Sequence, residues 1–214
     1  MATKKRGQVS FTKTPAAVIE GIRKARRDYL AMAGEVDRWP EYWVTTYVAK
    51  ALWKHFGKNG FITVESQAKS VLTRKRGWQS KKIRGTLKYD IGLWKKNESA
   101  RAIIEIKHQS STKGIVHDAK RIAAALGGGK KMEFGAVGYY HCYNKSGKGK
   151  NPREELRLYH EKVLDETDDA LKGTKCHVTD ESRLKSAYCM PYSGEDFWIA
   201  GCLMIKRKAG VRKK

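Results

Sequence analysis

Several features that define common protein classes are scarce or missing in this chain of 214 residues. No apolar run approaches the ~18 residues that a membrane-spanning helix needs, since the longest, Phe197 to Ile205, has nine. The four cysteines include no Cys-x-x-Cys pair, which disfavours a disulfide framework and a structural zinc or iron–sulfur site. The N-terminal Met-Ala-Thr-Lys-Lys-Arg has no apolar stretch behind it, so we expect no secretory signal. These absences predict a cytoplasmic protein with reduced cysteines, not a secreted one.

Acidic residues are also few, because 22 Asp and Glu stand against 45 Lys and Arg, a formal net charge of +23. Such an excess needs an anionic partner, and DNA is the leading candidate, with RNA as the alternative nucleic acid. A membrane surface would require a basic amphipathic helix with a strongly apolar face, and neither end of the sequence provides one. The hydrophobic content of 40% is enough to bury a core, which excludes disorder throughout.

The basic residues concentrate where acids are absent. Between Glu65 and Asp90 there is no acidic residue and there are eight Lys or Arg, so this window is predicted to bind nucleic acid, with a solvated surface loop as the alternative. Trp78 lies inside it and would either stack on a base or anchor the loop. The residues expected to contact nucleic acid are Arg74, Lys75, Arg76, Trp78, Lys81, Lys82 and Arg84, together with Lys120 on a later helix.

Hydrophobic periodicity predicts an α/β (α+β) fold with a central mixed sheet flanked by helices. Helices are expected at 15–32, 41–56, 116–126 and 152–171, and strands at 61–64, 83–94, 100–108, 134–143, 175–178 and 197–206. We expect a basic flexible arm at 1–14, a single domain at 15–206 and a basic tail at 207–214. Within the domain, the core is expected at about 39–143, followed by an α+β extension at 144–206.

The residues that point to chemistry are Asp90 and the tripeptide Glu105-Ile106-Lys107. Side chains alternate between the faces of a strand, so Glu105 and Lys107 share one face while Ile106 points into a core. Asp90 lies on the preceding strand, which a short turn at 95–99 makes a neighbour. We therefore expect the two carboxylates to converge beside a lysine.

Two carboxylates on adjacent strands offer the hard oxygen ligands that Mg²⁺ prefers, and Mn²⁺ would substitute for it. The carbonyl oxygen of Ile106 is a third candidate ligand. Lys107 would orient an attacking water and offset the negative charge that develops on a phosphate. With a polyanion-binding window next to it, this set of residues favours hydrolysis of phosphodiester bonds.

The pattern Tyr89-Asp90, followed by Glu105-Ile106-Lys107, resembles the PD-(D/E)xK nuclease superfamily, with Tyr89 in place of the usual proline. The expected order of elements from 41 to 143 is similar to the α-β-β-β-α-β core of its restriction-endonuclease-like members. In those members a glutamate near the start of the first helix often joins the metal site, and Glu41 matches it. The resemblance covers about half of the chain.

The resemblance implies a Mg²⁺-dependent deoxyribonuclease, an endonuclease of the restriction, defence or repair type, with catalytic residues Asp90, Glu105, Lys107 and Glu41. Cutting both strands of a duplex would call for a homodimer. The alternative function is a non-catalytic basic protein that binds DNA or RNA with the same fold. In that case Asp90 and Glu105 would be surface acids paired with Lys88 and Lys107, and Glu41 would only offset the helix dipole.

Overall fold

The computed structural model describes residues 11–34, 39–56, 60–67, 88–108, 111–128, 132–143, 151–184, 187–189 and 197–209. The predicted nucleic-acid-binding residues from Arg74 to Arg84 lie outside these ranges, as do residues 1–10 of the predicted arm and 210–214 of the predicted tail.

The described helices and strands follow the predicted order closely. The helices are α1 (Thr14–Ala33), α2 (Glu41–Phe56), α3 (Thr112–Gly128), α4 (Pro152–Leu171) and the short α5 (Asp180–Leu184). The strands are β1 (Gly60–Gln67), β2 (Lys88–Lys95), β3 (Ala100–His108), β4 (Phe134–Tyr143), β5 (Cys176–Val178), β6 (Ala187–Cys189) and β7 (Phe197–Arg207).

The described strands form one mixed seven-stranded sheet, in which the order β1-β2-β3-β4-β7-β5 is joined by β6, a second partner of β7. Strands β1, β2 and β3 are antiparallel, β3 and β4 run parallel, and β7 returns antiparallel to β4. The parallel pair requires a crossover, and α3 supplies it. The predicted α+β class with a mixed sheet between helices is confirmed.

The sheet is covered on both faces, so its central strands are buried on both sides. Strand β3 sends Ile104 and Ile106 into the core beneath α1 and α2, and Ile103 into the core beneath α3 and α4. A Cβ atom at Gly21 would lie 2.5 Å from the Cα of Val48, so the glycine lets α1 and α2 approach closely. The predicted burial of Ile106 is confirmed, since it is fully buried, and Ile104 on the same face is fully buried as well.

Described elements extend past two of the predicted boundaries. Phe11 begins a 3-10 turn and packs edge-on against Phe134 at 5.3 Å, so 11–14 belong to the folded unit because an aromatic side chain gains burial there. Arg207 is the last residue of β7, and its guanidinium donates to the carbonyl of Met132 at 2.7 Å. Because α1 covers the sheet and β7 lies inside it, the core extends well beyond 39–143.

Two findings bear on the excluded classes. In the part of the chain that the structure describes, no helix is both long and apolar enough to cross a bilayer. Among the described cysteines, Cys176 and Cys202 are buried free thiols.

Candidate active site

The β2–β3 ladder opens at the point where the predicted acids lie. Its last described pair is Ile91 opposite Ile104. Beyond this pair the side chain of Asp90 replaces a backbone carbonyl as the acceptor, because its Oδ2 accepts the amide N–H of Ile106 at 2.7 Å. The N–H and C=O of one strand residue face the same neighbouring strand. The carbonyl oxygen of Ile106 therefore also faces the Asp90 side.

Glu105 lies next to this opening and is only 2% exposed. Burial, followed by the negative charge of Asp90, raises the pKa of Glu105 to about 9, although Arg121 acts in the opposite direction. Its Oε1 is 3.2 Å from Nη2 of Arg121 but has no partner in hydrogen-bond geometry. A carboxyl group with such a pKa keeps its proton at neutral pH unless a further cation arrives.

Lys107 reaches the same end of the sheet and contacts two carboxylates. Its Nζ is 3.1 Å from Oδ2 of Asp118 and 4.0 Å from Oε1 of Glu41. Burial alone would lower the pKa of Lys107, but the charges of these acids outweigh it, and the pKa is raised above its ordinary value. Lys107 is therefore a cation and hydrogen-bond donor at neutral pH, not a proton acceptor.

Helix α3 contributes two residues that were not predicted to belong to the site. Asp118 is 1% exposed, and its Oδ1 accepts from Nη1 of Arg121 at 3.0 Å. Nη2 of Arg121 also donates to the carbonyl of Lys88 at 2.9 Å, and the guanidinium lies over the ring of Tyr89 at 5.5 Å. Arg121 thus ties α3 to the strand that carries Asp90.

Glu41 is the first residue of α2, where a carboxylate favours the helix dipole. It also contacts the site, because it accepts the backbone N–H of His108 and lies near Lys107. Burial raises the pKa of Glu41, Lys107 opposes this rise, and the charge of Asp90 adds to it. The two interpretations of Glu41 are therefore compatible, and the structure brings it to the predicted site residues.

The surface ion pairs of the alternative interpretation do not form in the described residues. Lys88 Nζ pairs with Oε2 of Glu65 at 2.7 Å, and that pair is exposed. Glu105 faces Arg121, and Lys107 faces Asp118. The two predicted acids are thus turned toward each other and away from their nearest lysines in the sequence.

The site holds more acids than bases, in a chain that is otherwise strongly basic. Its four carboxyl groups outnumber its two cations, so a divalent cation would improve the balance of charge. The carboxyl groups are those of Glu41, Asp90, Glu105 and Asp118, and the cations are Lys107 and Arg121.

The predicted ligand set fits a metal ion in chemistry. Asp90 and Glu105 repel each other when both are ionised, and the buried Oε1 of Glu105 lacks a hydrogen bond. A bound cation would offset the repulsion and would give Oε1 a partner. Over the described ranges, no group of three or more His, Cys, Asp and Glu side chains is arranged to hold a metal ion. The candidate set is therefore two carboxylates and the carbonyl oxygen of Ile106.

The predicted nucleic-acid residues are only partly described. Lys120 is exposed on α3, next to Arg121. Gln67 pairs with Lys88 across β1 and β2, so the residues that flank the segment 68–87 both lie at the end of the sheet that carries Asp90. The basic window therefore begins and ends beside the candidate site.

Comparisons with known protein families, with curated proteins and with solved structures find no match for this chain.

Proposed function

We propose that the chain is a metal-dependent nuclease that hydrolyses phosphodiester bonds in DNA, an endonuclease of the PD-(D/E)xK type. The observation that carries this proposal is the opening of the β2–β3 ladder, where the carboxylates of Asp90 and Glu105 converge beside Lys107. Buried like charges are costly unless a ligand or a proton offsets them. Their convergence at the end of a sheet supports a site for Mg²⁺, with Mn²⁺ as a substitute.

Each side chain has a role that follows from its contacts. Asp90, Glu105 and the Ile106 carbonyl would hold the metal, which when bound supplies Lewis-acid polarisation of the phosphate and of a water. Lys107, protonated and fixed by Asp118, donates to the oxygens on which negative charge develops. The raised pKa of Glu41 makes it a better proton acceptor than an ordinary carboxylate, beside Lys107.

The fold agrees with this assignment at the level of element order. From α2 to β4 the chain runs α-β-β-β-α-β, and β3, which carries Glu105 and Lys107, lies between β2 and β4. This arrangement supports a restriction-endonuclease-like core, to which α1 and the β7 region are added.

The direct test is an incubation of the full chain with supercoiled plasmid, linear duplex and single-stranded DNA. We expect nicking or linearisation with Mg²⁺ or Mn²⁺ and none with EDTA or Ca²⁺. RNA of the same sequence serves as the comparison substrate. Cleavage that survives EDTA, or that the Asp90→Asn variant retains, would contradict the proposed site.

A non-catalytic nucleic-acid-binding protein is the second candidate, and one observation favours it. Arg121 and Lys107 already face Glu105 and Asp118, so the cluster could be a structural ion-pair network. This candidate expects tight, salt-sensitive binding of DNA or RNA and no metal-dependent cleavage in the same assay.

A further inference from the structure

Arg26 of α1 is a buried cation for which the described residues provide no carboxylate. Its residue is 6% exposed, Nε donates to the hydroxyl of Tyr140 at 3.3 Å, and the guanidinium lies over the ring of Trp198 at 4.9 Å. Among the described residues, no ion pair or second hydrogen bond accompanies these contacts. The other buried arginine, Arg101, pairs with Glu133 at 3.0 Å. A buried guanidinium without an anion is costly, so an anion from outside the described residues is expected.

The surroundings of Arg26 contain further donors without acceptors. Trp198 contacts Tyr140, which stacks on His108 and meets the ring of Trp39. Within the described residues, Nε1 of Trp39, Nε1 of Trp198 and Nε2 of His108 are buried and lack a hydrogen-bond partner. Buried polar atoms of native proteins are nearly always paired. A guanidinium without an anion, beside polar groups that are also unpaired, is therefore suited to an oxyanion from outside the described residues.

The cluster lies at the same end of the sheet as the candidate active site. His108 directly follows Lys107 in β3, and Tyr140 of β4 is the partner of His108 in the sheet. Trp198 lies near the start of β7, the next strand after β4. From β3 to β7 there are two strand spacings, about 10 Å. The rise of a nucleic-acid strand is about 3.4 Å per nucleotide, so this distance corresponds to roughly three nucleotides.

Two exposed cations lie close to Arg26 along the same helix. Arg23 and Lys24 of α1 are both exposed within one turn of it, whereas the charge of the exposed Arg27 is already paired with Asp28 at 2.8 Å. Such a surface attracts a polyanion, while a buried guanidinium can hold one of its oxyanions in fixed geometry.

We propose that Arg26 binds a phosphate of the nucleic-acid strand a few nucleotides from the one that is cleaved. The inference rests on the proposed nucleic-acid substrate. The site fixes the register of the strand and does not read its bases.

The test compares Arg26→Met with Arg27→Met, an equal loss of charge on the same helix. Binding of a labelled duplex in Ca²⁺ is measured over a range of salt concentrations, and melting temperature is measured with and without inorganic phosphate. We expect Arg26→Met to weaken binding roughly tenfold and to flatten the log–log salt slope by about 0.9. Its melting temperature should stay level or rise, because an unpaired buried charge is removed, and phosphate should no longer stabilise it. Arg26→Lys should keep most of the slope and lose affinity, since it retains the charge without the planar fork.

Two results would overturn the inference. One is an Arg26→Met variant whose slope and phosphate response match those of Arg27→Met. The other is a variant that melts much lower with an unchanged slope, which would mean that Arg26 pairs with an acid of the chain itself. If Arg26→Met alone loses phosphate binding while no substrate is cleaved with any metal, the proposed function fails and the phosphate site stands. If DNA is cleaved and Arg26→Met binds and cleaves like the wild type, the inference alone fails.

Discussion

The strand pair β2–β3 has charged side chains in contact at each end, and the two ends differ in their balance of charge. At the turn end, Glu133 accepts from Lys95 at 2.7 Å and from Arg101 at 3.0 Å. At the open end, Glu105 shares Arg121 with Asp118 and faces Asp90. The turn end therefore has one acid with two cations, whereas the open end has more acids than cations.

The pKa values of the two glutamates differ in direction for this reason. Burial acts to raise both, but Lys95 and Arg101 reverse its effect on Glu133, whose pKa is lowered. For Glu105 the charge of Asp90 adds to the effect of burial, and the pKa is raised to about 9. An acid that is paired with cations, such as Glu133, is typical of a structural contact. An excess of buried acids, as around Glu105, is typical of sites that bind a cation or transfer a proton.

The largest expected effect is a loss of DNA cleavage when an acid is changed at the open end of β2 and β3 and not at the turn end. Asp90→Asn should lower DNA cleavage to the background rate, because it removes a metal ligand at the open end. Binding of DNA should be intact or tighter, since a negative charge near phosphate is lost. Plasmid nicking in Mg²⁺ and duplex binding in Ca²⁺ measure the two properties.

The matched control for this change is Glu133→Gln at the turn end, which should cleave like the wild type. Wild-type turnover in Asp90→Asn would exclude the open end as the active site. A similar loss in both variants would mean that the assay reports folding.

The next effect concerns the lysines of the two ends. Lys107→Ala should lower the cleavage rate by ~10²–10³, the usual cost of one donor to a developing oxyanion, while Lys95→Ala should change it little. Single-turnover rates with saturating DNA measure both variants, and circular dichroism checks their fold. A change of only a few-fold in Lys107→Ala would make that lysine a surface cation without a role in the chemistry.

The sequence predicts what depends on local pattern and misses what depends on packing across elements. The alternation of β3 is enough to place Glu105 and Lys107 on one face, and the short turn makes Asp90 a neighbour. Nothing in this local pattern tells which helix covers that face, so the pairing of Lys107 with Asp118 was not predicted. A signal existed, because Asp118 follows Ile115 by three residues and precedes Ile122 by four, on the buried stripe of α3.

The same limit applies to the extent of the core. The apolar run of β7 was recognised as a buried strand, but its place beside β4 is a long-range pairing that periodicity does not encode. Arg26 was hidden in a basic stretch of α1 for a similar reason. Its burial depends on contact with Tyr140 and Trp198, which are more than 100 residues away in the chain.

A third prediction sharpens the comparison through salt. Segment 68–87 begins and ends at the open end, so its cations should contact the phosphates of bound DNA. Replacing Lys75, Arg76, Lys81 and Lys82 together by Ala should flatten the log–log salt slope of duplex binding by about three to four units, at about 0.9 per phosphate. Sequence preference should change less, because phosphate contacts do not read bases.

The control for the salt experiment removes Lys54 and Lys96, which are exposed and lie at the ends of α2 and β2 away from the site. This double Ala variant should leave the slope nearly unchanged. An unchanged slope in the fourfold variant as well would identify the segment as a solvated loop.

The smallest effect is on stability, where the two glutamates should show opposite dependence on pH. The pKa of Glu105 is raised, so the folded state favours the protonated carboxyl. Its contribution to stability is fully present below about pH 4.5 and is lost as the pH rises toward 9. Glu105→Gln removes that loss, so its stability relative to the wild type should grow as the pH rises over this range.

The pKa of Glu133 is lowered, so its contribution to stability is present above about pH 4.5 and disappears as the pH falls. Glu133→Gln should therefore be less stable than the wild type above about pH 4.5, and this difference should shrink as the pH falls below that value. The difference should be small because that side chain is 39% exposed. Urea denaturation in EDTA between about pH 3 and pH 9 measures both variants, and parallel pH profiles would mean that the two ends of β2 and β3 do not differ in their charge balance.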